Sequence, residues 1–117
     1  MSVDYTAILC YGYKLTPEEV EKVGVEKLYE IKERYEDQPL PYGLIRSNDV
    51  YERGNEWYVG RWVEESSAEY YTEDFINTAI RSAAHINSMM DEIFGEGYVA
   101  SFEGDAFPAW HLFTRCW

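Results

Sequence analysis

Apolar and polar residues alternate near the start of the chain with the two-residue period of a β-strand. Within residues 4–15, one face of the predicted strand carries Tyr5, Ala7, Leu9, Tyr11 and Tyr13. The opposite face carries Thr6, Ile8, Cys10 and Gly12. Because both faces are fairly apolar and rich in aromatic and β-branched residues, the pattern predicts a strand near the centre of a sheet.

The next residues contain a strong helix start signal. Thr16 suits the N-cap, Pro17 suits the first helical position, and Glu19 lies where a capping box needs an acid. The apolar spacing then predicts a helix to about Tyr35. Gly24 interrupts this pattern, which indicates either a break into two shorter helices or a close packing contact.

A β-hairpin is predicted in the middle of the chain. Residues 36–43 contain two prolines and predict a loop. Residues 44–52 and 56–63 have strand patterns, and residues 53–55 (Arg-Gly-Asn) between them are typical of a tight turn because Gly and Asn tolerate positive φ. Residues 64–71 predict a polar connection.

The clearest helical periodicity follows that connection. Thr72 suits an N-cap, and Gly95 suits a helix terminator. Between them a predicted buried stripe consists of Ile76, Ala79, Ile80, Ala83, Ile86, Met90, Ile93 and Phe94. Residues 98–103 and 109–116 then predict two final strands around a turn.

The predicted order is β-α-β-β-α-β-β, in one α+β domain that covers residues 1–117. Its first six elements match a ferredoxin-like βαββαβ sandwich, and the seventh adds an extra C-terminal β-strand. Two right-handed crossovers would place two helices on one face of an antiparallel sheet. The other face would be uncovered, and we expect tyrosines and tryptophans there because their polar tips can meet water.

Composition narrows the possible partners. The chain has 117 residues, a mass of 13.8 kDa and a formal charge of −12. Such a field repels nucleic acid and anionic membranes, and it favours basic partners. The N-terminus has no signal-peptide pattern, and Cys10 and Cys116 have no CxxC spacing. We therefore expect a cytoplasmic domain without a disulfide framework.

Few residues offer catalytic chemistry. An aromatic sheet face suggests RNA recognition, but the RNP1 pattern is absent, so a thin core or a homodimer through the aromatic sheet face is the better interpretation. His85 is predicted on the solvent face of its helix. His111 is predicted near Glu103 and Asp105, where a carboxylate would support a general base. No nucleophile, metal-ligand spacing or phosphate-binding loop accompanies it, and no cofactor is expected.

The acidic residues are unevenly distributed. Residues 64–74 and residues 91–105 each contain five acids and no base. We call them the first and second acidic segments. The partner-binding residues predicted from them are Glu64, Glu65, Glu69, Glu73, Asp74, Asp91, Glu92, Glu96, Glu103 and Asp105. Unpaired carboxylates destabilise a fold by self-repulsion, which indicates a use for them.

These observations favour a non-enzymatic acidic protein-protein interaction module that docks on a basic protein surface. The sharper hypothesis is a nucleic-acid mimic that occupies the binding channel of a nucleic-acid-processing enzyme. In size, charge and aromatic content the chain resembles the small acidic inhibitors encoded by phages and mobile elements, including anti-restriction and anti-CRISPR proteins; the resemblance includes no motif and assigns no residue.

The alternative function is a small dimeric enzyme or ligand-binding domain. Its site would lie near His111 on the uncovered sheet face, beside the C-terminal hairpin. The residues of that site would be His111, Tyr13, Trp62 and Asp105.

Overall fold

A computed structural model describes residues 5–36, 42–47, 56–101 and 108–116. In this part of the chain, the first strand, the first helical region, the two middle strands and the second helical region follow one another in the predicted order. The elements are β1 (Tyr5–Lys14), α1 (Pro17–Val23), α2 (Val25–Glu36), β2 (Tyr42–Arg46), β3 (Trp57–Glu64), α3 (Glu73–Arg81), α4 (Ala83–Phe94) and β4 (Ala109–Cys116). A short 3-10 helix at Val99–Ser101 precedes β4.

The four strands form one antiparallel sheet in the order β2-β3-β1-β4. The α+β class is therefore confirmed. β1 lies between β3 and β4, which confirms its predicted central position. β2 and β3 form the predicted antiparallel pair, with Leu44 opposite Val59; the predicted turn at residues 53–55 lies outside the described residues. Helices join β1 to β2 and β3 to β4, and each connection passes over one intervening strand.

The helices cover one face of this sheet. Leu28 and Ile31 of α2 and Met90 of α4 belong to one buried cluster with Leu44 and Val59 of the sheet. Phe75 and Ala79 of α3 belong to a neighbouring cluster on the same face. The sheet residues of that second cluster are Leu9 and Val63. Complete burial of each such aliphatic side chain stabilises the fold by about 1.5–3 kcal/mol, so this layer supplies much of the driving force for folding.

The first helical region begins and breaks where the sequence indicates. The Glu19 amide donates to the Thr16 hydroxyl at 3.1 Å, and the Thr16 amide donates to the Glu19 carboxylate at 2.9 Å, which completes the capping box. Gly24 has φ +90°, a value that disfavours residues with a Cβ. The predicted helix is therefore two helices, α1 and α2, and the first of the two expectations for Gly24 is confirmed.

The second helical region differs from its prediction because it is also divided. Ser82 is buried and separates α3 from α4, and its hydroxyl donates to the Thr78 carbonyl oxygen at 2.9 Å. A serine that bonds back to the preceding turn bends a helix, which explains the break. Ile80, predicted in the buried stripe, is 47 % exposed, whereas Met89 is buried.

The strand predicted over residues 98–103, the sixth element of the predicted order, is wrong for residues 98–101, so β4 takes its place and no seventh element follows in the described residues. Residues 98–101 form a turn and the 3-10 helix, while residues 102–107 lie outside the described part. The Val99 amide donates to the Asp91 carboxylate at 2.9 Å, and the Tyr98 hydroxyl donates to Glu19 at 2.6 Å. These bonds to helical residues hold the segment against the helices rather than in the sheet.

β1 and β3 approach closely at a pair of glycines. Gly12 lies opposite Gly60 in the register. A Cβ built on Gly12 would lie 2.7 Å from the Gly60 Cα and still closer to the Val59 carbonyl oxygen. The two central strands, β1 and β3, therefore need glycine at this point of close approach.

Candidate functional site

The sheet face away from the helices carries a compact aromatic layer. Ile8, Cys10, Ile45 and Tyr58 are buried there, and Trp62 and Phe113 pack against them. The Tyr58 ring stacks on Phe113 with centroids 4.0 Å apart and planes 3° apart. Burial raises the pKa of the Cys10 thiol to about 12, so this cysteine is a core residue and not a reactive thiolate.

A polar cluster lies at one end of that face. The Lys14 ammonium lies 2.8 Å from one Glu56 carboxylate oxygen, and the Tyr58 hydroxyl donates to the other at 2.8 Å. The ring of His111 meets Tyr58 edge-on at 5.4 Å, and His111 Nε2 lies 3.2 Å from the Gly12 carbonyl oxygen. The cluster thus joins β1, β3 and β4.

The electrostatics of this cluster follow from its bonds. The hydrogen bond from Lys14, followed by the bond from Tyr58, lowers the pKa of Glu56. Burial, and then the bond to Glu56, raises the pKa of Tyr58. Burial lowers the pKa of His111 despite the opposing effect of the Gly12 carbonyl. The contacts of His111 in the described residues are with the Gly12 carbonyl oxygen and the Tyr58 ring, so this geometry gives the imidazole no nucleophile to activate.

Of the residues predicted around His111, the structure places Trp62 on the same sheet face and Tyr13 on the other. Tyr13 lies on the helix-covered face, where its hydroxyl donates to Asn87 at 2.6 Å. Trp62 and His111 both lie opposite Cys10 in the register, and therefore on the sheet face away from the helices. Asp105 lies outside the described residues.

Metal chemistry gains no support from the described part of the chain. His85 is exposed, as predicted. Among residues 5–36, 42–47, 56–101 and 108–116, no group of three or more His, Cys, Asp or Glu side chains is placed to hold a metal ion.

Two cavities open near Lys14 on the helical side. The first, of about 440 Å³, is lined by Tyr13, Lys14, Thr16, Glu18, Glu19, Lys22, Met90 and Tyr98. The second, of about 410 Å³, is lined by Lys14, Leu15, Pro17, Val20, Glu21, Gly24, Val25 and Glu56. Both have the volume of a small-molecule pocket. The polar cluster therefore borders a cavity through Lys14 and Glu56.

The first acidic segment is held in an ordered series of turns. The Glu65 amide donates to the Ala7 carbonyl oxygen at 3.0 Å, and the Ala7 amide donates to the Glu65 carboxylate at 3.1 Å. The Thr72 amide and hydroxyl both donate to the Glu69 carbonyl oxygen, at 3.0 and 2.6 Å. Thr72 then caps α3 by accepting from the Phe75 amide at 3.2 Å. The backbone of the segment is therefore fixed at both ends.

Four of the five acidic residues of this segment are exposed, and one of the four, Glu65, also accepts the bond from the Ala7 amide. Glu64 is half-buried, whereas the exposed acids are Glu65, Glu69, Glu73 and Asp74. Within the part of the chain that the structure describes, no ion pair joins any of the five to a base. Tyr71 adds an aromatic ring that is 58 % exposed on a backbone with φ +60°, an uncommon conformation for a tyrosine.

Two of the three described acids in the second acidic segment have partners within the fold. Asp91 accepts from the Val99 amide, while Glu92 accepts from the Tyr35 hydroxyl at 2.6 Å and lies 3.5 Å from Arg34. Glu96 is exposed. Glu103 and Asp105, the remaining predicted members, lie outside the described residues. The two segments therefore differ in how far their charges are already compensated.

Sequence reasoning missed the Lys14–Glu56–Tyr58 cluster. A signal was present, because Glu56 and Tyr58 are two residues apart and thus share a face at the start of a strand. Only the register, which places Lys14 opposite Tyr58, brings the lysine to them.

No family model, curated protein or solved structure matches the chain. In the described residues, no helix has the length and apolar character needed to cross a membrane.

Proposed function

We propose that this protein is a non-enzymatic interaction domain whose first acidic segment docks on a basic surface of another protein. The observation that carries the proposal is a set of exposed carboxylates on a fixed backbone with no basic partner in the described residues. These are Glu65, Glu69, Glu73 and Asp74. A basic partner would remove their mutual repulsion, and the ordered backbone would limit the entropy lost on binding.

Tyr71 supports the same surface. Its ring is exposed between Glu69 and Glu73 in the chain, and it contacts Tyr70, with centroids 4.3 Å apart. Aromatic residues are enriched at protein interfaces because they bury a large area at a low cost in conformational entropy. The segment thus combines the electrostatic and apolar components that a specific interface needs.

The sharper form of the proposal makes the partner a nucleic-acid-processing enzyme. Carboxylates on a rigid turn can occupy positions where such an enzyme binds phosphates, and a basic channel supplies the countercharges that the described residues lack. In this form the protein acts as a nucleic-acid mimic and an inhibitor. Duplex DNA would then compete with it for the same channel.

The fold that presents this segment is proposed to be ferredoxin-like, without the extra strand. The order β2-β3-β1-β4, the antiparallel neighbours and the helical connections over one intervening strand support this assignment. An experimental structure with a left-handed crossover would contradict it.

The test is affinity capture from a cell lysate with three immobilised proteins: the wild type, a triple variant Glu69→Gln, Glu73→Gln, Asp74→Asn, and a matched control. The control is Glu26→Gln, Glu30→Gln, Glu33→Gln, which removes the same charge from exposed positions of α2. We expect the wild type and the control to capture a basic protein at about 0.05 M salt and to release it at about 0.5 M.

The triple variant should not capture that protein. Elution by duplex DNA would support the mimic, whereas elution by salt alone would leave only the broader interaction module. Equal capture by all three proteins would refute docking through the first acidic segment.

A second candidate function is a ligand-binding or catalytic site at the polar cluster. The observation in its favour is that Lys14 and Glu56 both line the 410 Å³ cavity and also belong to the network of Tyr58. His111 adds a neutral, half-buried imidazole to that network. In a screen of metabolites, a ligand that raises the unfolding temperature of the wild type but not of Glu56→Gln would support this function. A ligand that stabilises both proteins equally would count against the site.

A further inference from the structure

In the described part of the chain, β4 is an edge strand, and its residues 109–114 include no Lys, Arg, Asp or Glu. In the part of the chain that the structure describes, its one neighbour in the sheet is β1. The strand is eight residues long. Long edge strands expose a row of backbone donors and acceptors, and natural proteins normally blunt them with charged residues, prolines or bulges.

The hydrogen-bonding direction of β1 determines which groups of β4 face outward. Ala7 bonds to Glu65 through both its amide and its carbonyl, so the backbone groups of Ala7 point toward β3. Because these directions alternate along an antiparallel strand, the backbone groups of Ile8 and Cys10 point toward β4. The residues opposite them, Phe113 and His111, bond inward to β1.

The intervening residues of β4 therefore direct their backbone groups away from the sheet. They are Trp110, Leu112 and Thr114, and we call them the β4 edge. Their side chains lie on the helical side, and all three are exposed. Trp110 is 38 % exposed and Leu112 is 59 % exposed, although both belong to residue types that favour burial.

Charge indicates which partner fits this edge. Residues 109–116 contain one formal charge, on Arg115, and no acid, in a chain of net charge −12. When β4 pairs with β4 of a second copy, no acidic residue therefore lies opposite another acidic residue in the two strands. An acidic protein gains most from self-association where its own surface is nearly neutral.

We propose that two copies of this chain pair through the β4 edge, in antiparallel orientation, about a two-fold axis at Leu112. In this register Leu112 lies opposite its own copy, and Trp110 lies opposite Thr114 of the partner. The outward backbone amides and carbonyls of these three residues then meet the outward carbonyls and amides of the partner strand. Each face of the sheet continues into the same face of the partner's sheet. The four-stranded sheet becomes one sheet of eight strands.

This dimer differs from the homodimer expected from the sequence, which would use the aromatic sheet face. It also does not depend on the proposed function, because the carboxylates of the first acidic segment contribute nothing to the β4 edge. The triple variant Glu69→Gln, Glu73→Gln, Asp74→Asn should consequently dimerise like the wild type.

Analytical ultracentrifugation of the full chain tests the proposal directly. Between about 1 and 200 µM the wild type should change from the chain mass of 13.8 kDa toward twice that mass. Leu112→Lys should weaken dimerisation roughly 100-fold, because two lysines would meet at the axis. Val25→Lys is the matched control, since Val25 is 48 % exposed on α2, and it should dimerise normally. Circular dichroism checks that each variant is folded.

A disulfide test fixes the register independently of that variant. With Cys116→Ser as background, Leu112→Cys should form a cross-linked dimer under mild oxidation, because paired Cα atoms about 5.5 Å apart allow a disulfide. Ala109→Cys should not, because it lies opposite Arg115 of the partner. The proposal would be overturned by a monomeric wild type, by dimerisation of Leu112→Lys that equals that of the wild type, or by equal cross-linking at both positions. It would also be overturned if the chain associated only with an added foreign peptide and not with its own copy.

Discussion

Replacement of Gly12 by alanine tests the close approach of the two central strands, β1 and β3, on which the sheet depends. Gly12 lies opposite Gly60 between the two central strands, and its carbonyl oxygen is also the neighbour of His111 Nε2. Gly12→Ala adds a single methyl group, without charge or polarity. Its effect therefore reports how closely β1 and β3 approach.

The expected cost follows from what the methyl group would meet. Its carbon would lie 2.7 Å from the Gly60 Cα, well below the 3.4 Å at which ordinary contact begins. These neighbours are backbone atoms, so no side chain can rotate away and the strands must separate. Overpacking of this kind costs about 1–3 kcal/mol, and each weakened ladder hydrogen bond adds about 1 kcal/mol. With one weakened bond we expect a loss of about 2–4 kcal/mol, a large part of the 5–15 kcal/mol typical of a domain.

Urea unfolding followed by tryptophan fluorescence measures this loss, because Trp57 is buried in the helix-covered core. Gly24→Ala is the comparison. Nothing lies within 4 Å of a Cβ built there, so its cost comes only from φ +90° and should be about 1–2 kcal/mol. If Gly12→Ala destabilised the protein less than Gly24→Ala, the close approach of the central strands would be refuted.

Three further substitutions test local interactions. Tyr58→Phe removes the donor to Glu56 and should cost about 1 kcal/mol in the free energy of unfolding, while the pKa of Glu56, followed by NMR, should rise. Thr16→Ala removes the acceptor of the Glu19 amide and should also cost about 1 kcal/mol; an unchanged urea midpoint would show that the cap is dispensable. Burial lowers the pKa of His111 in the folded protein below the ordinary value of 6.5. Near that pH the unfolded state therefore binds more protons than the folded state, and the free energy of unfolding decreases as the pH falls below 6.5. The stability of the wild type relative to His111→Gln should therefore decrease between about pH 7.5 and 5.5 in urea titrations, and a constant difference would contradict the assignment.

Local signals predicted the parts of the fold that local interactions determine. The capping box at Thr16 needs only residues three apart, and it formed as predicted. The alternation in β1 placed Leu9 and Cys10 on opposite faces, and their core clusters differ accordingly. The break at Gly24 followed from backbone sterics alone.

Hydrogen bonds that the apolar pattern does not reveal explain the failures. Ser82 has an ordinary place in the periodic pattern, and only its buried hydroxyl bond to Thr78 divides the helix. Tyr98 and Val99 have strand propensity, but their bonds to Glu19 and Asp91 hold them in a turn. Propensity is a weak guide where a tertiary contact competes with it.

The candidate sites show the same division. The sequence located the exposed carboxylates of the first acidic segment, because charge density is a property of the chain itself. It could not show that Asp91 and Glu92 have internal partners, since Val99 and Tyr35 meet them only in the folded state. The register of β4, which defines the outward residues of its edge, also depends on the assembled sheet.

The salt dependence of binding tests the central claim most directly. The captured partner, once purified, is titrated with the wild type, with Glu69→Gln, Glu73→Gln, Asp74→Asn, and with the α2 control at several salt concentrations. If each carboxylate contributes about 1 kcal/mol, the triple variant should bind roughly 100-fold more weakly at about 0.05 M salt, with a shallower dependence on salt. Equal affinities and equal salt slopes for all three proteins would contradict docking through the first acidic segment.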